Sequence, residues 1–124
     1  MKQEDKQLLL ADLCARLPYH PIVSVAYNYA DKGIVWEFDV LRIKLLLEIE
    51  QEESWEYIKP YLRPMSSMTE EEKREYNLTK TLSIVDYPTL GSFDWLNANH
   101  FDIRGLIEKG LAIEVNESNN PYKE

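Results

Sequence analysis

The side chains able to do chemistry in this 124-residue chain are few and scattered. There are two histidines, His20 and His100, one cysteine, Cys14, and arginines at Arg63 and Arg104. The densest group lies in Asp94, Asn97, Asn99, His100, Asp102 and Arg104. An imidazole between two carboxylates with an arginine nearby could support proton transfer, so a small hydrolase or nuclease-like site near His100, Asp102 and Arg104 is one reading. Asp94, His100 and Asp102 follow no established ligand spacing, so no metal is expected. Cys14 has no neighbouring base to activate it, and Ser66-Ser67 lie in a loop without a nucleophile elbow. Gly33, Gly91, Gly105 and Gly110 form no phosphate loop, and no cofactor is expected. The candidate binding residues are therefore Arg63, Asn97, Asn99, His100 and Arg104, with Arg63 and Arg104 expected to pair with Asp86, Asp94 or Asp102. No catalytic residue is assigned.

Composition narrows the classes further. The formal net charge is −8, with 44% hydrophobic and 29% charged residues. That balance suits a folded domain and opposes nucleic-acid or anionic-membrane binding, which calls for a basic surface. It allows a basic protein partner, or an acidic mimic of nucleic acid. A lone cysteine excludes an intrachain disulfide. No secretory signal or membrane span is recognisable, so the expected setting is cytoplasmic.

The elements that would position these residues read as follows. Glu4–Leu17 has a helical stripe of Leu10, Leu13, Cys14 and Leu17, with Arg16 at the negative pole and Pro18 as the stop. Val23, Val25, Tyr27 and Tyr29 alternate as one face of a strand. Ala30–Gly33 turns the chain, and Ile34, Trp36, Phe38 and Val40 form the apolar face of the returning strand. The parity then slips at Val40-Leu41. The odd-numbered set Leu41 to Ile49 favours a strand over residues 41–52, with a helix as the competing reading because Lys44 and Glu48 pair at i, i+4. Trp55–Ile58 reads as a short strand, and Pro60 and Pro64 bracket an extended segment. Thr69 with Glu72 is a capping box for a short helix to about Asn77. A strand over Thr81–Val85 and a turn at Tyr87-Pro88 follow. Ser92 and Asp102 read as caps of two short helices carrying Phe93, Trp95, Leu96 and Ile103, Leu106, Ile107, with Gly110 as a stop. Leu111–Val115 reads as a last strand and residues 116–124 as a frayed tail. Tyr27, Tyr29, Trp36, Trp55, Tyr57, Tyr61 and Trp95 are expected in the core, with an interface as the alternative for some.

Three segments also carry a resemblance. Leu10–His20 (LADLCARLPYH), Lys59–Tyr76 (KPYLRPMSSMTEEEKREY) and Asp94–Val115 (DWLNANHFDIRGLIEKGLAIEV) resemble a family of small uncharacterised proteins of gut anaerobic bacteria and their phages or mobile elements. The middle of the chain, Ile22 to Tyr57, matches only by residue type. The resemblance implies a cytoplasmic, phage- or element-encoded accessory protein, and it transfers no catalytic residue.

The combined expectation is a single α+β domain over residues 1–124. Its small curled antiparallel sheet of three to five strands would pack with the N-terminal helix and short C-terminal helices. The function that fits best is a non-enzymatic module binding a host or phage protein.

Overall fold

The parity slip at Val40-Leu41 is where the chain leaves the sheet. In a computed structural model, which describes residues 1–80 and 90–122, residues before the slip form a hairpin and those after it form a helix. The hairpin is β1 (Ile22–Tyr29) against β2 (Gly33–Val40), antiparallel over the full length of both strands. Gly33 takes φ +76° to close the turn, a conformation that costs glycine nothing. The helix is α2 (Ile43–Glu52), where residues 41–52 were expected as strand. Leu46 and Ile49, three apart, enter the core, while Leu47 stays exposed. The triple leucine at 45–47 breaks strict alternation, and the helical period wins. Glu53, at φ 51°, ends α2, and the Ser54 N–H closes back on Ile49 O at 3.1 Å.

Preceding the hairpin, α1 (Gln3–Arg16) carries Glu4 and Asp5 in its first turn and Arg16 in its last. Its buried face is Leu9, Asp12, Leu13 and Arg16. The expected stripe is thus rotated, and Cys14 is exposed. After α2, a single 3-10 turn at Trp55–Tyr57 replaces the predicted strand there, and β3 (Ile58–Leu62) follows. The sheet order is β2-β1-β3-β4, where β4 is Ile113–Glu114. β3 pairs antiparallel with β1 but parallel with β4, so the curled half-barrel sheet is mixed where a purely antiparallel one was expected. The α+β class holds.

Two helices complete the described fold. Thr69 and Glu72 cap α3 (Glu70–Lys80) reciprocally, Glu72 N–H to Thr69 Oγ1 at 3.1 Å and Thr69 N–H to Glu72 Oε1 at 3.0 Å. The helix runs past the predicted end at Asn77. α4 (Leu90–Ala98) contains Ser92 within its first turn instead of starting at it. Ser92 is buried, and its hydroxyl meets Thr79 Oγ1 of α3 at 2.8 Å. The predicted strand at Thr81–Val85 and turn at Tyr87-Pro88 lie outside the described residues.

The main core joins Leu9 and Leu13 of α1 to Val23 and Val25 of β1, Leu46 and Ile49 of α2, Ile58 and Leu62 of β3, and Leu106 and Leu111 beyond α4. Each buried aliphatic side chain there stabilises by roughly 1.5–3 kcal/mol. A smaller cluster gathers Met68, Leu96 and Phe101, with Tyr76, Trp95 and Ile103 against it. The segment from Asp102 to Leu111 is turns rather than the expected helix. Asp102 still caps it, accepting from Leu106 and Ile107 N–H at 2.9 and 3.1 Å. Gly110, at φ +73°, ends it, with Gly110 N–H to Ile107 O and Leu111 N–H to Leu106 O.

Candidate functional site

The predicted site residues fall into a polar system between α1, β3 and the segment after α4. Asp12 and Arg16 lie one helical turn apart on the buried face of α1, and both are fully buried. Arg16 Nε donates to Asp12 Oδ2 at 2.8 Å, and its Nη2 donates to the Phe101 carbonyl at 2.6 Å. The second Asp12 oxygen accepts from Arg104 Nη1 at 2.9 Å. One carboxylate thus holds two guanidinium groups, one of them from the far end of the chain. Among the described residues Arg104 pairs with Asp12 rather than with Asp94 or Asp102, and Asp86 lies outside those residues. Asp12 and Arg16 were missed because charged residues are ordinarily placed on a helix's wet face. Their i, i+4 spacing was the available signal.

Arg63 lies just past β3. Its guanidinium makes two 2.7 Å bonds to the Glu72 carboxylate and sits 4.2 Å above the Phe101 ring. Those paired bonds hold the Glu72 carboxyl down at about 2, and the N–H and hydroxyl of Thr69 add to the effect. Among the described residues the partner is thus Glu72 rather than Asp94 or Asp102. Behind Arg63, Trp95 stacks on Phe101 at 5.8 Å and Tyr76 meets Trp95 at 5.7 Å.

His100 is held at φ 64° between the Asn97 carbonyl, which accepts its N–H, and Arg63 N–H, to which its own carbonyl accepts at 2.8 Å. Its ring stacks on Tyr122 with centroids 3.7 Å apart and planes within 8°. Burial, followed by the positive fields of Arg16 and Arg63, pushes its pKa down to about 4. The imidazole is therefore neutral at pH 7. Asn97 is buried, and Asn99 donates through Nδ2 to the Trp95 carbonyl at 2.9 Å. His20, at φ 52° after α1, is exposed and far from this system in role. Among the described residues, no three His, Cys, Asp or Glu side chains gather to hold a metal.

Residues 116–122 are tied down where a frayed tail was expected. Asn116 Oδ1 accepts from the N–H groups of Ser118 and Asn119, and Asn119 Nδ2 donates to Glu114 O. Tyr122 then reaches the β1–β3 seam. Val23 pairs with Pro60, so Ile22 and Tyr61 would form the next rung of that ladder. The Tyr122 hydroxyl occupies the rung, accepting from Ile22 N–H at 2.9 Å and donating to Tyr61 O at 2.9 Å. Burial raises this phenol to about 12.

The second feature is the sheet's outer edge. The expected apolar face of β2 is apolar but not buried: Ile34, Trp36 and Phe38 are 58, 45 and 67% exposed. The register explains the difference. Core-facing Val23, Val25 and Tyr27 of β1 lie across from Asp39, Glu37 and Val35, so the apolar row of β2 shares the opposite face with Ser24, Ala26 and Asn28. Phe38 meets the Tyr61 ring there at 5.3 Å. Tyr29 and Tyr57, also expected in the core, are exposed, as is Phe93, whereas Trp55 and Tyr61 are buried.

No protein-family model, curated protein or solved structure matches the chain. Among the described residues, no helix is long and apolar enough to cross a membrane.

Proposed function

We propose that this chain is a non-enzymatic interaction module that docks another protein on β2, an accessory protein of the phage- or element-encoded kind that the sequence resemblance implies. The observation that carries the reading is the exposed row Ile34, Trp36 and Phe38 on a strand at the edge of the sheet. Large apolar residues in a contiguous exposed row mark interaction sites, and tryptophan and phenylalanine are enriched in them. What favours it over a site at His100, Asp102 and Arg104 is the use of those side chains. His100 stacks on Tyr122, Asp102 caps backbone amides, and Arg104 is bonded to Asp12.

A photo-crosslinking residue placed at Trp36 tests the reading in cells that encode the protein. A single protein adduct is expected, identified by mass spectrometry. The same residue at Leu78, exposed on α3, is expected to give none. Equal labelling from both positions, or none from Trp36, overturns the proposal.

A further inference from the structure

We infer that the occupant of β2 is an extended segment of a basic protein partner, added as a fifth strand, with apolar residues alternating with lysine or arginine. The inference rests on the proposed docking role of β2 and specifies its chemistry.

The phase of the hairpin ladder sets which backbone groups are open. Leu41 N–H donates to Pro21 O at 2.9 Å, and Ile22 N–H points away from β2 to Tyr122. In an antiparallel pair, hydrogen-bonded and non-bonded rungs alternate. The odd residues of β2 therefore exchange bonds with β1, and Ile34, Trp36, Phe38 and Val40 turn their N–H and C=O groups outward. At Val40 the outward N–H is already covered, donating to Asp39 Oδ1 at 2.8 Å. Among the described residues, the open template is thus Ile34 to Phe38, five residues bounded by the hairpin turn and by Asp39. Natural edges are blunted by charged side chains, proline or bulges; from Ile34 to Phe38, β2 has no proline and an unbroken register, and Glu37 is its one charge.

The two faces of the template ask for different side chains. An incoming strand aligned with it would lay every second residue beside Ile34, Trp36 and Phe38. Its intervening residues would lie on the face of Val35, Glu37 and Asp39. Glu37 is exposed, and its Oε2 accepts from the Tyr29 hydroxyl at 2.9 Å, which leaves carboxylate acceptor capacity to solvent. With the chain's net charge of −8, that face suits cations. A second copy of this chain would bring its own Glu37 and Asp39 to the same face, which is the wrong sign. The mode is strand addition, where main-chain bonds give affinity and alternate side chains give selectivity.

The test uses the full chain, nitrogen-15 labelled, and a capped seven-residue peptide in which valine alternates with lysine. Amide shifts are expected at Ile34, Trp36 and Phe38 above all, with affinity falling as salt is raised. The same peptide with glutamate at every lysine is expected to bind about tenfold or more weakly. Phe38→Pro removes an outward N–H while leaving the β1 ladder paired, and should weaken lysine-peptide binding by about tenfold. Glu37→Lys provides a second check, since it should reverse the preference between the two peptides without disturbing the backbone. Equal binding of both peptides, shifts centred away from β2, or concentration-dependent dimerisation abolished by Phe38→Pro would each overturn the basic-strand inference. An adduct at Trp36 with no lysine-peptide binding would leave the docking role standing and remove the partner chemistry alone.

Discussion

At Asp12, two guanidinium groups converge on one carboxylate inside the protein. Along β2, a row of aromatic and aliphatic side chains and open backbone groups faces solvent. The first region spends buried charge to join α1 to the segment after α4, and each Asp12 oxygen there accepts from a guanidinium. The second leaves apolar area and hydrogen-bonding capacity unused. Burying ions is costly unless they are paired, so the Asp12 cluster fixes which surfaces meet more than it adds net stability. An edge strand with an apolar face carries an aggregation hazard unless something covers it. The contrast teaches that polar groups in this fold mark structure, and apolar groups mark the candidate interface.

The sharpest way to break the contrast is to remove the anion. Asp12→Ala leaves Arg16 buried without its carboxylate and frees Arg104, and should cost about 3–5 kcal/mol in chemical denaturation. A loss below about 1 kcal/mol would show that the cluster is solvated, and the distinction between the two regions would fall. Leu106→Ala follows in size. Leu106 is fully buried in the main core, so truncation should cost about 2–5 kcal/mol, read from the same titration.

These two residues also show what was legible in the sequence. Leu106 reads as core from its spacing with Ile103 and Ile107 and from the Gly110 stop, because local signals suffice there. Asp12 does not, since its partner Arg104 is 92 residues away and charges default to the wet face. The hairpin, the Thr69–Glu72 box and the Gly110 stop were readable because each is a local backbone event. The burial of β2 was not. Alternation reveals two faces, and only the register with β1, which sets Val25 against Glu37, decides which one is covered. Residues 41–52 failed for a related reason: nine alternating residues fit both periods, and the tertiary seat of Leu46 and Ile49 selects the helix. The role of Tyr122 depends on a missing rung between distant strands and leaves no local trace.

Tyr122→Phe isolates that rung. The ring can still stack on His100, but Ile22 N–H and Tyr61 C=O lose their bridge, so the cost should be about 1–3 kcal/mol. Hydrogen exchange at the Ile22 amide should accelerate in the variant; an unchanged rate would mean that the hydroxyl does not close the seam.

A smaller effect comes from His100. Its folded pKa of about 4 lies below the ordinary 6.5, so the unfolded chain takes up the proton first. The stability this contributes is complete above 6.5 and is lost as pH falls from 6.5 through 4. For a partly exposed ring the loss should be about 1–2 kcal/mol across that window. His100→Asn keeps a residue that tolerates the left-handed backbone and removes the titration. Its stability should therefore vary less between about pH 7 and pH 5 than that of the parent chain. Glu72, held at about 2, titrates mainly below its ordinary 4.5 and contributes little to that difference. Equal pH slopes in the two proteins would show that the imidazole is not shielded from protonation.

The smallest expected change is at the edge strand, and it bears most directly on function. Ile34 is 58% exposed, and Ile34→Thr keeps a β-branched residue while removing outward apolar surface. Folding stability should stay within about 0.5 kcal/mol of the parent chain. Docking should weaken, because the lost ethyl group matters only where another chain covers it. A stability loss above about 1.5 kcal/mol would show that the row already packs within the molecule. Its exposure would then no longer argue for a partner. Unchanged stability with unchanged crosslinking from Trp36 would move the docking energy from the side-chain row to the open backbone edge. Phe38→Pro removes an outward N–H and one member of the row together, so it reads their combined contribution.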